Sequence, residues 1–155
     1  MPLLRAALSW NFVLATAICA SLLAQLIKVL LNLFIFHRFI AERMWGAGGM
    51  PSSHSATVCA MVVATGRYCG VNSPIFAIAA VLSIIVMYDA MGVRYETGEQ
   101  AKVLNRMFTE WMDQGFEQFQ LPQGKKLKEM VGHTPIEVVT GAALGIVLGF
   151  AMPMV

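Results

Sequence analysis

The sequence predicts an all-α integral membrane protein, and two observations lead to that prediction. The 155-residue chain is 57% hydrophobic and only 13% charged, a composition too apolar for an ordinary soluble domain of this length. Its apolar residues fall into four segments that are long enough, or nearly long enough, to cross a bilayer as helices. We therefore expect residues 1–155 to form a single integral membrane domain with about four transmembrane helices and one interfacial helix.

Three of the apolar segments lie in the first two thirds of the chain. The first runs from about Leu8 to Phe36 and the third from about Pro74 to Val93, and both are long enough to cross a bilayer. The second, residues 51–69, spans about 28 Å at 1.5 Å per residue. All three therefore predict transmembrane helices.

The fourth segment, about Pro135 to Val155, is rich in small residues. Gly141, Gly145 and Gly149 are spaced four apart, a pattern that lets membrane helices approach closely. This glycine stripe suits packing inside the bundle and packing between two copies equally well, so homo-oligomerisation stays open.

Positive charge predicts the orientation. With four crossings, the connections 37–50 and 94–134 lie on one side of the membrane, and that side holds most of the basic residues: Arg38, Arg43, Arg94, Lys102, Arg106, Lys125, Lys126 and Lys128, against Arg5 and Arg67 opposite. The positive-inside rule makes that side cytoplasmic. We expect a bacterial inner-membrane protein whose functional site faces the cytoplasm.

The long connection after Arg94 contains an amphipathic helix. Apolar residues recur there at helical spacing: Val103, Leu104, Met107, Phe108, Trp111 and Met112. In a membrane protein such a helix most simply lies in the interface with its aromatic face toward the lipid.

Charge and cysteine content exclude several functions. A net charge of +2, without aromatic residues interleaved among the basic ones, argues against nucleic-acid binding. The three cysteines, Cys19, Cys59 and Cys69, lack metal-ligand spacing and are interpreted as free thiols. We expect no metal and no cofactor, and membrane lipids as partners.

One face of the first segment is polar. Ser21, Gln25, Lys28 and Asn32 share it by their spacing. Lys28 either contacts an anion or extends to the interface while the polar face binds neighbouring helices. Asp89, at the end of the third segment, is either catalytic or an ion-pair partner of Lys28 or Arg94.

Two motifs place a histidine where an apolar helix begins. The first is Gly48-Gly49-Met50-Pro51-Ser52-Ser53-His54, and the second is Gly132-His133-Thr134-Pro135-Ile136-Glu137. Serine and proline are common at helix starts, but glycines such as Gly49 also let backbone approach an anion. Because helix N-termini expose N–H groups and partial positive charge, two converging ends predict a phosphate site.

Glu137 has two compatible interpretations. Thr134-x-x-Glu137 is a capping box with proline at the first helical position. A carboxylate four residues after His133 can also hold the imidazole through Nδ1–H, leaving Nε2 free to attack phosphorus. We predict that His54, His133 and Glu137 converge, with the two imidazoles less than about 10 Å apart, since nucleophile and acid must reach the same phosphoryl group.

These motifs resemble the type 2 phosphatidic acid phosphatase superfamily. GGMPSSHSA, DAMGVR and GHTPIEV are similar to its divergent membrane branch, which is related to acid phosphatase and vanadium-dependent haloperoxidase, over nearly the whole chain. The resemblance implies that Ser52, Ser53 and neighbouring backbone bind phosphate and that His54 protonates the leaving group. It also implies that His133 is the nucleophile and that Glu137 orients it.

The chain departs from the superfamily pattern at two arginines. Lys28 is not followed by Arg-Pro, and Lys126-Leu127 stands where Ser-Arg is expected. Arg94 and Lys128 are candidate substitutes by their location. The sequence thus predicts a metal-independent phosphatase that hydrolyses a lipid phosphomonoester or pyrophosphate. The alternatives are a non-catalytic module that binds anionic lipids or a membrane partner, and a small transporter subunit with Lys28 and Asp89 coupled.

Overall fold

The computed structural model describes residues 11–36, 49–114, 126–129 and 131–154. Within these ranges the secondary structure consists of α-helices without strands, which confirms the all-α prediction. The helices are α1 (Phe12–Phe36), α2 (Ser53–Cys69), α3 (Pro74–Met91), α4 (Val93–Asp113) and α5 (Pro135–Ala151).

Helix α2 lies at the centre of the bundle. It packs against α1, α3 and α5, while α4 packs against α3. Alanines from α1 and α2 form the core between those two helices: Ala20, Ala24, Ala56 and Ala60, all fully buried. Small side chains at this contact bring the helix backbones close together, as is common in membrane bundles.

The glycine stripe of α5 packs against α2. A Cβ atom added at Gly141 would lie 2.3 Å from the Ser52 carbonyl oxygen, and one at Gly145 would lie 2.3 Å from that of Ala56. No side chain fits at these distances. Of the two uses predicted for the stripe, the structure shows packing inside the bundle.

The motif-bearing ends of α2 and α5 meet at one end of the bundle. Ser52 caps α2 by accepting a hydrogen bond from the Ser55 N–H. The Ser52 N–H donates to the Glu137 carbonyl oxygen across 2.9 Å, and the His133 N–H donates to the Ala90 carbonyl oxygen across 3.0 Å. These two backbone bonds fix the start of α5 beside α2 and beside the end of α3.

Among the described residues, two stretches are long and apolar enough to cross a membrane, one in α1 and one within residues 74–113, whereas α5 is a shorter apolar helix. The count of four crossings and the cytoplasmic orientation therefore stay predictions. Several of the basic residues used for that orientation lie outside the described residues: Arg5, Arg38, Arg43 and Lys125.

Helix α4 is amphipathic, as predicted, and a single residue, Gly92, separates it from the end of α3. Its buried positions are Gly98, Ala101 and Asn105. The Asn105 side chain donates to the Leu127 carbonyl oxygen at 2.9 Å and accepts from the Leu127 N–H at 2.8 Å. The small and polar face of α4 therefore holds the segment that leads into α5.

Candidate active site

His133 is held rigidly at the N-terminus of α5. Its side chain is 1% exposed, and Nδ1 lies 3.1 Å from Glu137 Oε2. Because a carboxylate only accepts hydrogen bonds, Nδ1 carries the proton and donates it. Nε2 is then the ring atom with a free lone pair, and it is buried without a hydrogen-bond partner among the described residues.

Glu137 has both of its predicted roles. Oε2 accepts from His133 Nδ1 and also from the Thr134 N–H, at 3.1 Å in each case. One oxygen atom therefore contributes to the helix cap and orients the imidazole. The first turn of α5 positions His133 directly, because residues four apart share a helix face.

His54 lies on the first turn of α2 and faces His133. Their ring centroids are 5.8 Å apart, and the ring planes meet at 66°. This distance confirms the predicted proximity of the two imidazoles. His54 is exposed, whereas His133 is buried, so the two rings form the outer and inner sides of one site.

Lys28 is buried next to this pair. It is 1% exposed, and Nζ lies buried without a hydrogen-bond partner among the described residues. One of the two interpretations of Lys28 required its side chain to extend to the membrane interface. Its burial shows that the side chain does not extend to solvent. Its charge interacts favourably with that of Glu137 and unfavourably with a protonated His54.

Gly49 forms the wall beside Lys28. Its φ of +85° favours glycine, and an added Cβ would contact the Lys28 side chain at 3.5 Å. A contact at this distance is ordinary, so the positive φ is what favours glycine here, and the approach of Gly49 backbone to an anion stays a prediction. Gly48 lies outside the described residues.

Ser52 and Ser53 occupy different positions. The Ser52 hydroxyl is buried and accepts from the Ser55 backbone at 3.3 Å and from the Ser55 hydroxyl at 3.1 Å. This makes Ser52 a helix cap in the present structure. Ser53 Oγ accepts from Gln25 Nε2 at 3.4 Å and therefore lies between the polar face of α1 and the start of α2.

Asp89 and Arg94 pair with each other across the junction of α3 and α4. Arg94 Nε lies 2.5 Å from Asp89 Oδ2, with side chains 49% and 40% exposed. Lys28 and Arg94 were the two ion-pair partners predicted for Asp89, and the structure shows the pair with Arg94. Both charges also interact with His54, so the pair lies at the exposed edge of the site. A half-exposed pair of this kind contributes about 0.2–1 kcal/mol to stability.

Lys128 is not brought into this group. It is exposed, and its neighbour Leu127 is fixed to Asn105 of α4, outside the cluster around His54 and His133. The placement of Lys128 depends on how the connection folds against α4, which its position in the sequence does not reveal.

Sequence reasoning gave Gln25 no separate role, although it noted the polar face on which Gln25 lies. Gln25 Oε1, Lys28 Nζ and His133 Nε2 are the buried side-chain nitrogen and oxygen atoms that lack a hydrogen-bond partner among the described residues. Buried polar atoms normally have partners, because leaving one unsatisfied costs about 1–3 kcal/mol. The unpartnered Lys28 ammonium suits an anionic ligand, and the His133 Nε2 lone pair suits an electrophilic atom or a hydrogen-bond donor of that ligand.

Comparison with known proteins agrees with this geometry at the level of the family. Residues 9–148 match a protein family described as the Divergent PAP2 family. The chain is 38% identical over 144 residues to the "Uncharacterized membrane protein YuiD" of Bacillus subtilis (strain 168), covering 89% of this chain and 91% of the relative. No solved structure matches the chain. Because the family and the Bacillus subtilis relative each match most of its length, the chain is an all-helical membrane protein that belongs to the Divergent PAP2 family.

Proposed function

We propose that this protein is a membrane phosphatase that hydrolyses a lipid phosphomonoester or pyrophosphate through a phosphohistidine intermediate. The single observation that supports this most is the state of His133: Nδ1 is bound by Glu137, and Nε2 is buried beside a second histidine with no hydrogen-bond partner in the described part of the chain. A capping box alone does not require such an imidazole.

In the first step, the lone pair of His133 Nε2 attacks phosphorus. The N–P bond forms as the bond between phosphorus and the leaving oxygen breaks, and His54 donates a proton to that oxygen. Glu137 stabilises the positive charge that develops on His133. Lys28 offsets negative charge on the phosphoryl oxygens, where a fixed cation in a buried site is most effective.

In the second step, water attacks the phosphohistidine. His54, now neutral, accepts a proton from the water while the N–P bond breaks and inorganic phosphate leaves. The exposure of His54 suits this exchange of protons with solvent, and the electron pair of the broken bond returns to His133 Nε2.

A second function fits another observation. Arg94 is engaged by Asp89, Lys128 lies outside the cluster, and among the described residues Lys28 is the lysine or arginine that is buried. Such a site is also suited to hold an anionic lipid headgroup without turning it over. That alternative predicts phosphate-lipid binding with no release of inorganic phosphate.

The test is phosphate release by the purified full-length protein in detergent, measured over a panel of lipid phosphates and pyrophosphates with and without chelator. We expect release from at least one lipid and no loss in chelator, because basic side chains rather than a divalent ion are proposed to neutralise the phosphoryl group. Loss of turnover in chelator, restored by magnesium or zinc, would contradict the metal-independent mechanism.

A matched pair of lysine variants connects the activity to the site. Lys28→Met removes the buried ammonium and should lower phosphate release by about 10²-fold or more. Lys128→Met removes an exposed ammonium and should leave release unchanged. Lipid binding without release by the unmodified protein favours the alternative, and equal effects of the two variants contradict the role given to Lys28.

A further inference from the structure

Helix α4 has an exposed apolar stripe that the candidate site does not use. The stripe consists of Val103, Leu104, Met107, Phe108 and Trp111. Val103 is 59% exposed, Leu104 is 43% exposed and Met107 is 39% exposed. Phe108 and Trp111 are half-buried and pack edge to face with centroids 5.9 Å apart. Exposed apolar surface of this kind, bordered by charge, is typical of a contact surface.

The other two faces of α4 are already explained. The face with Gly98, Ala101 and Asn105 is buried, and it lies against Leu127, Glu129 and Val131. The third face carries exposed ion pairs, Lys102 with Glu99 and Arg106 with Glu110. The stripe lies between the buried face and the charged face, at spacings of four residues. A partner of the stripe must therefore offer an apolar region to the stripe and a polar region to the charged residues beside it.

The helix that precedes α4 exposes a lipid-facing surface. Helix α3 exposes Ile78, Leu82 and Ile85 along its length, and in a membrane protein such residues face acyl chains. One residue, Gly92, separates the end of α3 from α4. Tyr88 and Tyr95, both exposed, lie on either side of it, and tyrosines of this kind mark the headgroup level.

We infer that α4 is an in-plane membrane anchor, with the stripe inserted between headgroups and acyl chains and the charged face toward water. This position places the apolar side chains in lipid while the Lys102 and Arg106 pairs keep their hydration. It also holds Leu127 and Glu129, which contact Asn105 of α4, at the membrane surface. A phospholipid bilayer, rather than a second copy of the chain, is the partner.

The test uses nitroxide labels on the full-length protein in phosphatidylcholine vesicles. In a background with Cys19, Cys59 and Cys69 replaced by Ala, labels are placed at Leu104→Cys and Met107→Cys on the stripe. Arg106→Cys, on the charged face at the same level of the helix, is the matched control. Accessibility is measured to oxygen, which partitions into the bilayer, and to a water-soluble nickel chelate.

We expect the two stripe labels to be reached more by oxygen than by the chelate, and the control label to show the reverse preference. Equal access of the chelate at all three positions overturns the inference, because α4 then projects into water. Exclusion of both reagents with dipolar broadening between labels also overturns it, since a second copy then covers the stripe.

A label-free measurement guards against perturbation by the nitroxides. With Trp10→Phe and Trp45→Phe, Trp111 is the remaining tryptophan, and lipids brominated near the headgroup end of their chains should quench its fluorescence more than lipids brominated near the chain terminus. No quenching by either lipid overturns the inference independently of the labels.

Discussion

The two helix starts that form the candidate site treat their histidines differently. At the start of α5, His133 is buried, its ring is held by Glu137 and its backbone by Ala90. At the start of α2, His54 is exposed, its side chain makes no hydrogen bond to the described residues, and its ring faces that of His133. One imidazole is fixed and the other is accessible.

The difference matches what the two roles require. A nucleophile needs its lone pair aligned with phosphorus before the reaction begins. An acid that also acts as base must reach the leaving oxygen and then exchange protons with water. Burial and hydrogen bonding therefore suit His133 to attack, whereas exposure suits His54 to proton transfer.

The largest expected effect is at the fixed imidazole. His133→Gln removes the atom that forms the bond to phosphorus, so turnover should fall by roughly 10⁴-fold or more. The variant should also lose any acid-labile phosphoenzyme trapped by rapid quenching. Wild-type phosphatase activity in His133→Gln would contradict its assignment as nucleophile.

His54→Gln should have the next largest effect, and that effect should depend on the substrate. Loss of the acid slows departure of a poor alkoxide leaving group by about 10²–10⁴-fold. An activated aryl phosphate needs less protonation and should recover part of the rate. If the leaving-group dependence appears in His133→Gln instead, the roles of the two histidines are reversed.

Glu137→Gln should reduce the rate by about 10²-fold with little change in stability. The amide oxygen can still accept from the Thr134 N–H, but the negative charge that stabilises a protonated His133 is lost. Turnover and thermal unfolding are measured together. Glu110→Gln, on the exposed face of α4, is the matched control. If the lower turnover of Glu137→Gln is accompanied by a clear fall in its unfolding temperature, Glu137 acts in capping alone.

We expect the smallest effect on activity from changes to the packing that holds the two helix starts together, and there the measured quantity is stability. Gly145→Val places atoms where a Cβ already meets the Ala56 carbonyl oxygen at 2.3 Å, and overpacking of this kind costs about 1–3 kcal/mol. Ala143→Val adds bulk to the exposed face of the same helix and serves as control. Denaturant unfolding in detergent micelles should separate the two variants, and equal stabilities would contradict the packing role of the stripe.

Features of the site that depend on neighbours in the chain could be predicted from the sequence. The capping box fixes Glu137 relative to His133, because residues four apart on a helix share a face. The start of α2 near Ser53 and the amphipathic pattern of α4 are local in the same way.

The sequence by itself determined the all-α membrane class, the helix starts and the residue types suited to phosphate chemistry. The tertiary structure decided which of those residues meet. It buries Lys28 beside Gly49, pairs Asp89 with Arg94, and leaves Lys128 outside the cluster. The physical reason is that hydrophobic periodicity and capping act over a few residues, whereas these contacts depend on how α2 packs between α1, α3 and α5.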